Sequence, residues 1–269
     1  MPRPIRFFIP GHVWHLTHRC HNREFMLNYA YYRKLWMKWL YEGTNRYNVP
    51  ILNFMVTSNH IHLLVLAPKD MEAIPRLMQL VAGRTGQEFN QRRNRKGAYW
   101  EKRYSATAVQ TDEHLARCFL YIDFHPVKCR KATPAQAGFH WVNMVRAKVV
   151  KHPRKWEHGG YHEIVKPKQR YRTINRKEVT RLLDVEEKEL GRQYQGWIKE
   201  ALKQGNLRRN GVWSSELAVG DDGFVEKVKA NLGRLVSRMS VNEDSALYGQ
   251  SLDIKDNYIE WQIFDENDL

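Results

Sequence analysis

In the stretch TSNHIHLLVL, residues 57–66, two histidines flank one isoleucine and run into unbroken apolar sequence. On a strand, residues two apart point to the same face, so the imidazoles of His60 and His62 stand side by side while Ile61, Leu63 and Val65 turn into a core. Adjacent imidazoles on one sheet face can share a divalent ion. The spacing alone does not decide the matter, because a strand-end histidine satisfied by solvent or by a backbone carbonyl is commoner than a ligand. With 12 histidines in 269 residues, some such pair is roughly an even bet by chance.

A second constellation lies in TDEHLARCFLYIDFHPVKCRK, residues 111–131. Leu115, Cys118, Phe119 and Ile122 follow the helical spacing i, i+3, i+4, i+7 and define a buried stripe. Thr111 or Asp112 caps the start, and Pro126 stops the helix. Beside that stripe stand His114, Arg117, Tyr121 and His125, with Tyr121 and His125 one turn apart on the same side. A helical tyrosine is ordinarily a packing residue with its hydroxyl at the rim. Together, however, a phenol, a third imidazole and a histidine pair are the parts needed to transesterify a phosphodiester. A bound cation polarises a non-bridging phosphate oxygen, and the phenolate attacks phosphorus to give a covalent phosphotyrosine.

The elements that must position these groups can be read in order. HVWHLTHRC, 12–20, reads as a strand after the Pro10-Gly11 turn. A helical pattern runs from Asn28 to about Glu42, with Gly43 as its stop. VPILNFMV, 49–56, and HIHLLVL, 60–66, form a hairpin. Met71 to about Gln91 is helical, with Pro75 tolerable in the first turn. A short strand follows near SATAVQ, 105–110, and then the Tyr121 helix. This order predicts an α+β fold, an antiparallel sheet with helices on one face in the ferredoxin-like manner, whose hairpin supplies adjacent central strands. Residues 134–169 read as a loop-rich connection. Two helical patterns, VTRLLDVEEKELGRQYQGWIKEALKQG and DDGFVEKVKANLGRLVSRM, predict a small helical C-terminal domain. The expected division is a catalytic domain over 1–150, then a basic linker, helical domain and acidic tail over 151–269.

Charge is unevenly spread. Of a net +15, residues 1–150 carry +14, with 23 basic against 9 acidic side chains, while the segment from Val241 holds one lysine against eight acids. Such an excess favours a polyanionic partner, nucleic acid before membrane. The tail is either solvated or folded back over a nucleic-acid groove. Arg84, Arg92, Arg93, Arg95, Lys96, Lys102 and Arg103 interleave with Phe89, Tyr99, Trp100 and Tyr104, a mixture in which cations track phosphates and rings stack on unpaired bases. The alternative is that Trp100 and Tyr104 belong to the core and only the cations are solvated. Arg3 and Arg6, beside Phe7 and Phe8, suit an arm that reaches into a groove or over a single strand. His12, His15, His18 and His21 recur every three residues, a period of neither strand nor helix. Three scattered cysteines fit a reducing cytoplasm, and no apolar run approaches the length of a bilayer span. The expected setting is cytoplasmic, on the nucleoid, with no membrane partner.

At these residues the chain resembles the HUH single-tyrosine transposases, in particular those associated with bacterial repetitive extragenic palindromes. The resemblance rests on NHIHLLV at 59–65, FNQRRNRKGAYWEKRY at 89–104 and YIDFHPVKC at 121–129, with HLTHRCHNREFML at 15–27 similar to the family's first strand and turn. It implies that His60 and His62 are the metal pair and Tyr121 the nucleophile, which ends on a 5′ phosphate and leaves a free 3′ hydroxyl. His125 stands where relatives often carry Asn or Gln in the metal site, and an imidazole there tolerates Mn²⁺, Co²⁺ or Zn²⁺ more readily than Mg²⁺. The expected cofactor is a divalent cation, Mg²⁺ or Mn²⁺. Thr57 and Ser58 replace a common Met-Pro pair. His15 aligns with a family position and joins Arg3, Arg6, Arg84, Arg92, Arg93, Trp100, Lys102, Arg103 and Tyr104 as expected DNA contacts. Family members act on palindromic hairpins and the adjoining single strand, as monomers or as homodimers that exchange the tyrosine helix. The reading is a metal-dependent endonuclease and strand transferase for single-stranded or hairpin DNA. Its rivals are a non-catalytic nucleic-acid-binding relative and a metal hydrolase of small phosphoesters.

Overall fold

The structure, a computed structural model, describes residues 7–124, 150, 152–204, 213 and 216–240. Arg3, Arg6, His125, Arg208, Arg209 and the acidic tail lie outside the described residues. The chain divides into two compact units, Met1–Leu232 and Gly233–Leu269. The described part of the second is 233–240.

The first unit begins with β1 (Val13–Arg19), a 3-10 turn at His21–Arg23, α1 (Ala30–Tyr47), β2 (Ile51–Val56), β3 (His60–Leu66), α2 (Ala73–Arg92), β4 (Ser105–Val109) and α3 (Glu113–Phe124). There follow a 3-10 turn at Pro153–Lys155, α4 (Tyr161–Val165), α5 (Arg176–Leu183), α6 (Glu187–Gln204), β5 (Ala218–Val219) and α7 (Asp222–Ser240), whose last turns belong to the second unit. Strand order is β2-β3-β1-β4-β5. The first four strands pair antiparallel and β5 adds parallel to β4. Four antiparallel strands in this order, interleaved with α1 and α2, are the ferredoxin-like arrangement. The hairpin is β2-β3, but only β3 is central; β2 is an edge and β1 takes the middle place beside β3.

The register decides which side chains share a face. Thr17 pairs with His62, His15 with Leu64 and Thr107, and Met55 with His62. His15, Thr17, Asn53, Met55, His60, His62 and Thr107 therefore project from one face. Trp14, Leu16, His18, Phe54, Ile61 and Leu63 project from the other. That second face is covered by α1 and α2, where the Trp36 and Phe54 rings meet at 6.4 Å.

The helices are not confined to one face. On the histidine face, α3 is tied down at Asp123, which accepts from Asn53 Nδ2 at 3.4 Å and from Tyr194 Oη on α6 at 2.7 Å. A strand face carrying buried polar groups cannot be left half-paired, and α3 with α6 supplies both cover and partners. The described residues between 152 and 232 belong to the same compact unit as residues 7–124.

Gly43 is not a stop. α1 runs through it to Tyr47 and ends at Asn48 in the left-handed region, φ 51°. A Cβ on Gly43 would lie 2.5 Å from Leu77 Cδ1, so the glycine is there to let α1 and α2 approach. α3 starts where Asp112 Oδ1 accepts the backbone N–H of His114 at 2.7 Å, as the capping pattern predicts. Among the described residues no helix is long and apolar enough to cross a membrane.

Candidate active site

Tyr121, in the last turns of α3, lies against the histidine face. Its ring is edge-on to those of His15 and His62, each at 5.8 Å, and the Trp213 indole tilts across it at 5.9 Å. The His60 and His62 rings are 5.0 Å apart and nearly perpendicular. One chain therefore brings the phenol and the imidazole pair together. All three side chains are buried, Tyr121 with 5% of its surface exposed.

The hydrogen bonds fix which nitrogen of each ring carries the proton. His15 Nδ1 is 2.6 Å from the carbonyl oxygen of Trp213. A carbonyl only accepts, so Nδ1 donates. Full burial pulls the His15 pKa down to about 4 against the opposing bond to Trp213, so near neutral pH the ring is uncharged and its Nε2 is an acceptor. That Nε2 is 3.0 Å from His62 Nδ1, with the two ring planes parallel to within 1°. His62 must therefore donate from Nδ1, which leaves the lone pair of the neutral ring on Nε2.

His60 reaches the same state by another route. Asn59 Nδ2 donates to the Arg23 carbonyl at 2.9 Å, which orients its amide so that Oδ1 faces His60 Nδ1 at 2.8 Å. Thr57 Oγ1, 2.9 Å from the same nitrogen, already gives its proton to the His60 carbonyl at 2.8 Å. Nδ1 of His60 is thus a donor as well, so that in the neutral ring the lone pair again lies on Nε2.

Metal-bound histidines typically donate their second ring nitrogen to an outer partner that fixes tautomer and orientation. The two rings match that pattern, which makes them fit to hold a divalent cation. Among the described residues no group of three His, Cys, Asp or Glu that could hold a metal ion occurs. The third expected ligand, His125, lies outside them.

The expected DNA contacts separate into three groups. His15 is fully buried behind His62, so it faces a ring and not solvent. Trp100 stacks on His18 at 4.1 Å and donates its indole N–H to the Ala82 carbonyl at 2.9 Å. Tyr104 is 7% exposed, between Phe8 and His18. Both rings pack, because the 98–104 segment is drawn under β1 by the Cys20–Trp100 bridge and by the His18 Nε2 bond to the Lys102 carbonyl at 2.7 Å. Arg84, Arg92, Arg93 and Lys102 are exposed, and Arg103 is half-buried.

Sequence reasoning did not tie two groups to the site. Trp213, singled out in the sequence only as candidate support for substrate binding, covers the Tyr121 ring and orients His15 across 198 positions of chain; its distance left no local signal for that role. Asp123 is fully buried, and burial raises its carboxyl to about 7 although Tyr194 and Asn53 both donate to it. An acid two places from Tyr121 on the same helix was the available hint.

Residues 9–125 match the family described as "Transposase IS200 like". No curated protein matches the chain. Among solved structures, the chain is similar to a REP-associated tyrosine transposase bound to a REP hairpin, at 17% identity and a TM-score of 0.45, covering 61% of this chain and 86% of that one. It is also similar to a candidate transposase from Deinococcus radiodurans R1, at 17% identity and a TM-score of 0.32, covering 45% of this chain and 96% of that one. The family match covers 9–125, which takes in the strands and the helix that carry His60, His62 and Tyr121.

Proposed function

We propose that the protein is a metal-dependent endonuclease and strand transferase for single-stranded or hairpin DNA, of the kind that acts on extragenic palindromes, with Tyr121 as nucleophile. Residues that would hold the cation are His60 and His62 through Nε2, with His125 as the third. The observation that carries the reading is the contact of the Tyr121 ring with His62, an imidazole whose tautomer is set from behind to present a lone pair.

A bound Mg²⁺ or Mn²⁺ would supply charge stabilisation at a non-bridging phosphate oxygen. The chain's own part is the nucleophile. The Oη–P bond forms as the P–O3′ bond breaks, the phenol proton leaves, and the departing 3′ oxygen ends as a hydroxyl. The 5′ end then remains on Tyr121 as a phosphodiester, and a second 3′ hydroxyl reverses the exchange and restores the phenol. Asp123, tied to Asn53 and Tyr194, holds the end of α3 against the sheet, so the phenol's position is fixed by packing before substrate arrives.

The experiment is incubation of the full chain with end-labelled hairpin DNA bearing a single-stranded flank, with Mn²⁺ or Mg²⁺. A denaturant-resistant adduct is expected, abolished in Tyr121→Phe with DNA binding retained. The burial of Tyr121 beneath Trp213 favours a second reading, a DNA-binding protein without cleavage, in which the same incubation gives binding and no adduct.

A further inference from the structure

We infer that the tyrosine and arginine surface formed where α1 begins and α2 ends is a docking platform for the single-stranded DNA flanking the hairpin, an inference that rests on the proposed DNA substrate. Tyr29 and Tyr31 are 56% and 44% exposed, unusual for rings of that size. Each carries a guanidinium on its face: Arg93 at 4.8 Å from the Tyr29 ring and Arg92 at 4.4 Å from the Tyr31 ring. Arg93 is further held by its Nε–H bond to Tyr32 Oη at 3.2 Å. Among the described residues neither arginine forms an ion pair with a carboxylate. These residues line a shallow depression of about 310 Å³.

The surface is held rigid from below. Tyr32 packs on Phe89 at 4.7 Å, and Phe89 on Tyr99 at 4.9 Å, so the exposed rings stand on a buried aromatic layer. A rigid mixture of exposed rings and cations without carboxylate partners is complementary to a polyanion with accessible base faces, which is single-stranded nucleic acid and not a closed duplex. Its location fits the flank. The segment leading to Tyr29 is pinned to the β2–β3 turn by Leu27 N–H to the Ser58 carbonyl at 2.9 Å and by Asn59 Nδ2 to the Arg23 carbonyl. That turn carries His60. Platform and histidine pair therefore lie at the same end of the sheet, and a strand leaving the scissile phosphate there meets Tyr29 and Tyr31.

The test is fluorescence anisotropy of the full chain with two probes, a blunt hairpin and the same hairpin carrying a single-stranded flank of about ten nucleotides. Tyr29→Ala with Tyr31→Ala is expected to weaken flanked-hairpin binding about tenfold. Arg92→Gln with Arg93→Gln, which keeps the side-chain stems, is expected to lower the salt slope by about 1.4. Blunt-hairpin binding and melting temperature should be unchanged in both. Unchanged affinity for the flanked probe, or an equal loss on the blunt probe, overturns the platform. If the parent protein makes no covalent adduct while the variants lose the flank, the platform stands and the catalytic reading falls. If the adduct forms and the four substitutions leave binding intact, the platform alone falls.

Discussion

The imidazoles of His15 and His62 have parallel ring planes and share a 3.0 Å hydrogen bond, the first as acceptor and the second as donor. The relay begins at the Trp213 carbonyl and ends at His62 Nε2. It makes a residue far along the chain responsible for the lone pair that a cation needs.

If that relay positions His62, His15→Gln should weaken Mn²⁺ binding by about 10- to 100-fold, the usual effect of losing an outer partner. Isothermal titration calorimetry on the full chain measures it directly. An unchanged affinity with intact folding would show that His62 is oriented without His15.

The same residue makes stability depend on pH in the absence of metal. The folded pKa of His15 is about 4 and the ordinary value 6.5, so between those limits the unfolded chain holds a proton that the folded chain refuses. Stability is full above pH 6.5 and falls as pH drops toward 4, by at most about 3 kcal/mol. Burial acts on His158 in the same direction. Chemical denaturation at pH 7.5 and 5 should show a smaller loss in His15→Gln than in the parent; equal losses would contradict it.

Asp123 has the opposite sign. Its folded carboxyl titrates near 7 against an ordinary 3.8, so the folded state holds the proton longer, and stability declines as pH rises through that interval. Asp123→Asn keeps the shape and cannot ionise. The substitution should therefore be less costly at pH 8 than at pH 5, as read by the difference in unfolding free energy. A pH-independent difference would mean the carboxyl is not strained by burial.

At Gly43 the helices are too close for a larger side chain. Gly43→Leu should destabilise by about 1 to 3 kcal/mol or more through overpacking against Leu77, lowering the melting temperature. A neutral result would show that the Leu77 side chain gives way and that the α1–α2 contact does not require a glycine there.

The parts legible in the sequence are those with a local period. Alternation alone put His60 and His62 opposite Ile61, Leu63 and Val65, and the i, i+3, i+4, i+7 stripe put Tyr121 beside the buried face of α3. What escaped depends on tertiary neighbours. A glycine that ends a helix and one that lets two helices touch look alike until Leu77 is known to face it. Trp100 and Tyr104 stand among cations just as Tyr29 and Tyr31 stand near Arg92 and Arg93 in space, yet the first pair is packed and the second exposed, because a β-bridge draws one segment under the sheet. The parallel strand β5 is two residues long, too short for any pattern. Trp213 has nothing in its flanking sequence to tie it to Tyr121.

The central claim is that the Tyr121 oxygen becomes linked to DNA. Its most direct measurement is peptide mapping by mass spectrometry of the covalent product formed with hairpin DNA and Mn²⁺. The predicted result is a nucleotide mass on the tryptic peptide between Arg117 and Lys128, at Tyr121. The contradicting result is a product joined through another residue, or cleaved DNA with no protein attached.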